Sequence, residues 1–125
     1  MGHNLSMVVG VGIDIVDIAR IEVAMKNEKF TRRILTEREE VYCNTPMKVA
    51  GRWAAKEAII KAVGVTVLMK NIEILNNPLG QPIVTIHDPN FDGKRLKIFV
   101  SITHEKTHAA AVAVVERSVL QVPMA

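Results

Sequence analysis

Residues 52–64 constrain the fold more than any other stretch, because their composition predicts a single helix. The segment is rich in good helix formers, and Gly64 suits the left-handed position that follows a helix end. Trp53, Glu57 and Lys61 recur every four residues and share one face, while alanines and isoleucines supply an apolar face that can pack on a sheet. The Glu57–Lys61 spacing is also that of an ordinary solvent-exposed ion pair, so the pattern alone leaves both a structural and a functional interpretation open.

The length of 125 residues and a hydrophobic content of 49% predict one compact domain, which we place at residues 7–125. We interpret Met1–Ser6 as a leader or a remnant of expression. No apolar run approaches the length of a bilayer span, which argues against a membrane protein. Cys43 is the single cysteine and cannot form an internal disulfide, so we expect a cytoplasmic location.

The formal net charge of +3 is concentrated in one short stretch between Arg20 and Arg33. Five bases and two acids in that stretch give a local excess of +3, so the rest of the chain sums to zero. A basic patch on a neutral body predicts an acidic partner that is guided by electrostatic attraction. An ordinary solvated helix face is the alternative interpretation.

The first predicted strand, Val8–Val16, carries an acid on an otherwise apolar element. Asp14 shares a face with Gly10 and Gly12, which have no side chains. Because an unpaired buried charge is costly, this carboxylate is expected to serve a specific purpose. Asp17 is better placed to cap the helix that follows, which leaves Asp14 as a candidate functional residue.

The remaining pattern predicts an α+β fold, with a strand, a helical block and then a mainly antiparallel sheet. Thr36–Glu39 has the form of a capping box, and Asn44–Pro46 ends that short helix and starts the long one. Further strands are predicted at Asn71–Leu75, Pro82–Ile86, Leu96–Ile102 and Ala109–Val115. His104 lies where the third of these strands ends, at a sheet edge where functional groups are common, whereas His87 and His108 are expected to be structural.

Three segments match one family in order and spacing. They are Gly10–Ile21 (GVGIDIVDIARI), Ala50–Ala62 (AGRWAAKEAIIKA) and Val100–Glu105 (VSITHE). The pattern resembles the bacterial holo-(acyl-carrier-protein) synthases, the small phosphopantetheinyl transferases, from about residue 7 to residue 116. Phe30, Arg33–Glu39 and Gly80–Pro82 fit the same pattern. The resemblance implies the 4′-phosphopantetheinyl transferase fold, with one long helix packed on the sheet.

The resemblance also implies an activity. Such enzymes transfer 4′-phosphopantetheine from coenzyme A to a serine of acyl carrier protein in fatty acid biosynthesis, and they release adenosine 3′,5′-bisphosphate. It implies that Asp14 and Glu57 hold Mg²⁺, a cation that prefers carboxylate and phosphate oxygens. It further implies that Lys61 and His104 contact the coenzyme A phosphates with Ser101 nearby, and Arg52 is a further candidate for that work.

Three groups remain open as the acceptor of the serine proton: Glu57, a Mg²⁺-bound water and His104. The basic stretch matches the helix on which the family docks its acidic carrier protein. The side chains that we expect to contact the carrier are Arg20, Met25, Lys29, Phe30 and Arg33. The family is usually trimeric, with active sites in clefts between neighbouring subunits, and we expect the same here.

The chain departs from the family pattern after Gly64. The family typically has a second glycine in a longer loop there, whereas this chain has Val65–Lys70. Any phosphate-binding role of that loop is therefore in question. The alternative function is an inactive module that binds carrier proteins, which would need the basic patch but not four catalytic side chains. A nucleic-acid-binding role lacks aromatic platforms, because only five residues are aromatic.

Overall fold

The structure is a computed structural model that describes residues 2–123. Its elements are β1 (Gly2–Asp17), α1 (Ile18–Ala24), α2 (Glu28–Ile34), α3 (Glu37–Tyr42), α4 (Pro46–Val63), a 3₁₀ turn (Met69–Asn71), β2 (Ile72–Asn76), β3 (Pro82–Ile86), β4 (Leu96–His104) and β5 (His108–Pro123). This order confirms the predicted α+β class. Within the described part of the chain, no helix is both long and apolar enough to cross a membrane.

The strands form two antiparallel sheets rather than one. β5 lies at the centre of the larger sheet, with β1 on one side and β4 on the other, while β2 and β3 form a separate hairpin. Asp14 of β1 lies opposite Ala111 of β5, which in turn lies opposite Ile102 of β4. The alternating residues Leu96, Ile98, Val100 and Ile102 of β4 pack against the core, as the sequence predicts.

β1 is longer than the predicted strand Val8–Val16. It begins at Gly2, and its first half pairs with the second half of β5, with Ser6 opposite Ser118. This pairing joins opposite ends of the chain, so no local pattern could indicate it. The residues we set apart as a leader thus include part of a strand, and the domain bounds 7–125 stay a prediction.

Two glycines of β1 let the strand lie directly on α4. A Cβ atom on Gly10 would lie 1.9 Å from the carbonyl oxygen of Ala62, and Gly12 approaches Ala58 in the same way. Any side chain at either position would collide with helix backbone, which cannot move aside. The helix is therefore held close to the strand that carries Asp14.

Three of the four helices start with a cap that the sequence predicts. The Asp17 carboxylate accepts a hydrogen bond from Ala19 N at 2.9 Å and caps α1. Thr36 and Glu39 form the predicted capping box of α3, in which each side chain accepts from the other residue's backbone N–H. Thr45 caps α4, which begins at Pro46. These caps hold the basic stretch between Arg20 and Arg33 in short helices, the first of which packs beside the long helix.

α4 is the buried centre of the molecule. Ala54, Ala55, Ala58 and Ile59 are fully buried, and Gly64 ends the helix with φ 72°, the left-handed conformation predicted for it. The small alanines give the helix a smooth face that matches the two glycines of β1. Close packing of this kind fixes the rotation of the helix and hence the direction of each of its side chains.

The opposite face of β1 is apolar and exposed. Val9, Val11, Ile13 and Ile15 alternate along the strand and are between 49% and 68% exposed, and Phe99 of β4 is exposed as well. Neighbouring exposed apolar side chains of this kind often mark an interaction site. The sequence predicts that the four side chains share one face, but it does not reveal that the core lies on the other.

Candidate active site

Asp14 and Lys61 form an ion pair where β1 meets the last turn of α4. Lys61 Nζ donates to Asp14 Oδ1 at 3.0 Å and to the carbonyl oxygen of Ile13 at 2.9 Å. The Asp14 side chain is mostly buried, whereas half of the Lys61 side chain is exposed. The sequence spacing also allowed an ion pair between Lys61 and Glu57 on the helix surface. In the structure Lys61 instead bonds to β1.

Glu57 faces the same space one helical turn earlier. Partial burial raises its pKa above the ordinary value for a glutamate, the negative charge of Asp14 raises the pKa further, and Lys61 partly offsets both. Asp14 and Glu57 line one cleft of about 370 Å³ together with Arg20, whose side chain is exposed. Two carboxylates held in one cleft favour the binding of a cation between them.

Trp53 of α4 forms part of the wall of this cleft, next to Phe30 of α2. Its ring lies 5.7 Å from the ring of Phe30, with 32° between the ring planes, and both residues line the cleft. The sequence predicts that Trp53 packs at the end of the charged stripe. The contact joins α2 directly to the helix that carries Glu57.

The donor set suits Mg²⁺ that is shared with a substrate. Across residues 2–123 no three His, Cys, Asp or Glu residues lie close enough to hold a metal ion by themselves. Mg²⁺ commonly uses one or two carboxylates and takes its other ligands from water and substrate phosphates, so two acids are sufficient. Burial is the main cause of the raised pKa of Glu57, and the second cause is the charge of Asp14, which a cation between the two carboxylates would offset.

A second, larger cleft of about 680 Å³ collects the other predicted residues. Arg52, Ser101 and His104 line it, and it shares no lining residue with the first cleft. Arg52 and Glu57 are five positions apart on one helix, which separates them by roughly 140° around its axis. Within one subunit the predicted site residues therefore lie in two groups, Asp14 with Glu57 and Lys61 in one and Arg52 with Ser101 and His104 in the other.

Arg52 is the most unusual group in the second cleft. It is only 6% exposed, its terminal nitrogen donates to Asn76 Oδ1, and its Nε is buried without a hydrogen-bond partner. Its guanidinium lies 5.3 Å from the centre of the Tyr42 ring, and Lys48 Nζ lies 4.5 Å from that centre. Two cations and an unpaired donor at a cleft wall suit an anionic ligand.

Comparison with known proteins identifies the family. A family model described as the 4′-phosphopantetheinyl transferase superfamily matches residues 10–115. The chain belongs to this superfamily. It is 43% identical over 122 residues to the holo-[acyl-carrier-protein] synthase of Geobacillus sp. (strain WCH70), covering 89% of this chain and 98% of that protein.

Solved structures of holo-(acyl-carrier-protein) synthases have a similar fold. The crystal structure of a holo-(acyl-carrier-protein) synthase from Bacillus anthracis in complex with CoA (3′,5′-ADP) is 38% identical, with a TM-score of 0.78, and the match covers 90% of this chain and 99% of that one. The Helicobacter pylori holo-[acyl-carrier-protein] synthase in complex with coenzyme A is 36% identical, with a TM-score of 0.76, and the match covers 84% of this chain and 98% of that one. The predicted fold and family are confirmed, and this transferase is an enzyme.

Sequence reasoning about this transferase missed a second stripe on α4. Lys48, Arg52 and Lys56 also recur every four residues, on a different side of the helix from Glu57. The first two are wall residues of the larger cleft, as are Tyr42 and Asn76. The spacing of the three cations was the signal that could have revealed the larger cleft.

Lys56 supports the site from inside the core. It is fully buried, and its ammonium donates to Glu39 Oε1 at 2.6 Å, to the Ile34 carbonyl oxygen at 2.6 Å and to the Met69 carbonyl oxygen at 3.1 Å. Glu39 also accepts from the backbone N–H of Ile74 at 2.8 Å. Burial lowers the pKa of Lys56, and Glu39 opposes that shift. This pair connects α2, α3 and β2 to α4.

The predicted docking side chains fall into two kinds. Arg20, Lys29 and Arg33 are exposed, whereas Met25 and Phe30 are half-buried and pack against the core. The exposed bases lie on α1 and α2, beside the cleft that contains Asp14 and Glu57. This arrangement presents a basic surface next to the carboxylates of the transferase.

Proposed function

We propose that this chain transfers 4′-phosphopantetheine from coenzyme A to a serine of apo acyl carrier protein and releases adenosine 3′,5′-bisphosphate. We further propose that Mg²⁺ is required and that the reaction serves fatty acid biosynthesis in the cytoplasm. The observation that carries the proposal is the meeting of Asp14, Glu57 and Lys61 in one place, beside a basic helical surface. A chain that only bound carrier proteins would not need this constellation.

We assign the metal to Asp14 and Glu57. Mg²⁺ bound there would neutralise phosphate charge at the reacting phosphorus and orient the diphosphate for in-line attack. The ammonium of Lys61 adds a positive charge beside the carboxylates, and we assign it to a phosphate oxygen of coenzyme A. Its flexible four-carbon stem lets the ammonium move from Asp14 toward such an oxygen.

We assign the serine proton to Glu57. Of the three acceptors left open by the sequence, Glu57 lies in the cleft with Asp14, next to the exposed bases on which the carrier is proposed to dock. His104 lines the other cleft. We assign it, with Arg52 and Ser101, to binding the phosphates of coenzyme A.

We propose a homotrimer in which the exposed apolar face of β1 is covered by neighbouring subunits. Support comes from the row Val9, Val11, Ile13 and Ile15, which one chain leaves largely exposed. A site shared between subunits would also bring the Asp14 group of one chain to the Arg52 group of another. Two half-sites that lie apart in one chain are consistent with this arrangement.

Mass spectrometry of a purified apo carrier protein tests the activity. Incubation with the wild-type chain, coenzyme A and Mg²⁺ should increase the carrier mass by one phosphopantetheine group. The isosteric variants Asp14→Asn and Glu57→Gln should lower the rate on the order of 10³-fold. The control Asp92→Asn removes an acid that lines neither cleft and should keep full activity. Full activity in either site variant would disprove the assignment, and no transfer by the wild type would favour the binding module.

A further inference from the structure

We propose that Lys61 and the divalent cation compete for Asp14, so that metal alone binds weakly and metal with coenzyme A binds well. The inference rests on the proposed function, because it concerns the metal assigned there. It starts from a single contact: the Lys61 ammonium lies 3.0 Å from Asp14 Oδ1. A cation coordinated by Asp14 would share that carboxylate with a positive charge already bonded to it.

The ammonium is held in this place by two acceptors. Besides Asp14, it donates to the carbonyl oxygen of Ile13 at 2.9 Å, which fixes it on the edge of β1. Lys61 also stands one helical turn beyond Glu57 on the same face of α4. Lys61 is thus an internal counterion for both carboxylates assigned to the metal, and its repulsion weakens the binding of a second cation nearby.

The same side chain has a route away from Asp14. Half of the Lys61 side chain is exposed, and the residue stands in the last turn of α4. An incoming diphosphate supplies negative oxygens that can accept the ammonium in exchange for Asp14. Coenzyme A and the cation would then favour each other's binding, and the coupling must be equal in both directions.

Titration of Mn²⁺ without turnover tests this competition. The free Mn²⁺ signal is followed by electron paramagnetic resonance with wild type, Lys61→Met, Lys61→Arg and Lys94→Met, first without coenzyme A and then with it. Lys94 lies in the β3–β4 connection and lines neither cleft, so Lys94→Met is a control that changes net charge equally.

Without coenzyme A, Lys61→Met should bind Mn²⁺ about tenfold more tightly than wild type, whereas Lys61→Arg and Lys94→Met should match wild type. Coenzyme A should strengthen Mn²⁺ binding to wild type by a larger factor than in Lys61→Met. Equal or weaker Mn²⁺ binding by Lys61→Met, or no binding by any of the proteins, would overturn the proposal. Failure of the proposed function would appear separately, as absence of carrier modification by the wild type.

Discussion

A Cβ atom on Gly12 would lie 1.9 Å from the carbonyl oxygen of Ala58, so β1 and α4 are in backbone contact beside the site. This contact sets the distance between the strand that carries Asp14 and the helix that carries Glu57. Replacing Gly12 with alanine must push the two elements apart, because the obstructing atom belongs to a helix backbone.

Gly12→Ala is therefore expected to lower the free energy of unfolding by about 1–3 kcal/mol or more. Gly93→Ala is the matched control, because a Cβ there meets only the Phe91 ring at 3.7 Å, an ordinary contact. Urea unfolding followed by circular dichroism measures both. Equal stability of the two variants would show that strand and helix separate at no cost.

Glu39→Ala is expected to destabilise the fold by about 3–5 kcal/mol, because it leaves the fully buried Lys56 ammonium without its charge partner. Glu37→Ala, at an exposed position two residues earlier, should change stability by less than about 0.5 kcal/mol. Thermal and urea unfolding of both variants check the difference. A small loss in Glu39→Ala would mean that the backbone carbonyls of Ile34 and Met69 satisfy the ammonium alone.

Glu57→Gln is expected to make the protein more stable at neutral pH. The folded state raises the pKa of Glu57, so it binds this proton more tightly than the unfolded state does, and the wild type loses stability as pH rises from the unfolded to the folded value. The glutamine variant has no such loss. Melting temperatures in metal-free buffer should show its advantage near pH 7 and none below about pH 4. An advantage that is constant with pH would contradict this cause.

Arg52→Met is expected to raise the KM for coenzyme A by about 10- to 100-fold with a much smaller effect on kcat. The change keeps the apolar stem but removes a charged donor whose Nε has no hydrogen-bond partner among residues 2–123. Arg38→Met, at the exposed Arg38–Glu73 pair, is the control and should leave both constants unchanged. Steady-state kinetics separates the effects, and a loss confined to kcat would assign Arg52 to the chemical step.

Ile13→Glu is expected to prevent the chain from trimerising and to abolish transfer. The side chain is 68% exposed on the apolar face of β1, so a charge there costs little in one subunit but much in a subunit contact. Sedimentation velocity and the carrier-modification assay should change together. Val23→Glu, on an exposed position of α1, is the control for association. A trimeric, active Ile13→Glu would disprove this location of the interface.

Local patterns in the sequence were sufficient to predict most helix ends. The capping box of Thr36 and Glu39 and the left-handed Gly64 depend on contacts within a few residues, which a sequence displays directly. The strand limits were harder, because the first half of β1 is ordered by pairing with the distant end of β5. A local pattern carries no sign of such a partner.

The sequence named candidate site residues but did not indicate that they line two separate clefts of one chain. Asp14 and Glu57 were predicted to share a metal and Lys61 to contact phosphate with His104, yet the bonding of Lys61 to Asp14 depends on how closely the strand approaches the helix. The separation of Arg52 from Glu57 follows from helix geometry and could have been predicted. The unpaired Nε of Arg52 depends on tertiary packing and could not.

Lys56 and Glu57 are neighbours in sequence with opposite surroundings. The first is a cation enclosed by Glu39 and two carbonyl oxygens, and the second is an acid open to the cleft. A slip of α4 by one residue that put Glu57 in the place of Lys56 would rotate the helix by about 100°, bring a carboxylate to those carbonyl oxygens and put Ala58 in the place of Glu57. A carboxylate in that place would be repelled by Glu39 and by the two carbonyl oxygens, so the core disfavours the shifted helix. A deletion within α4 is therefore expected to prevent folding rather than only to lower activity.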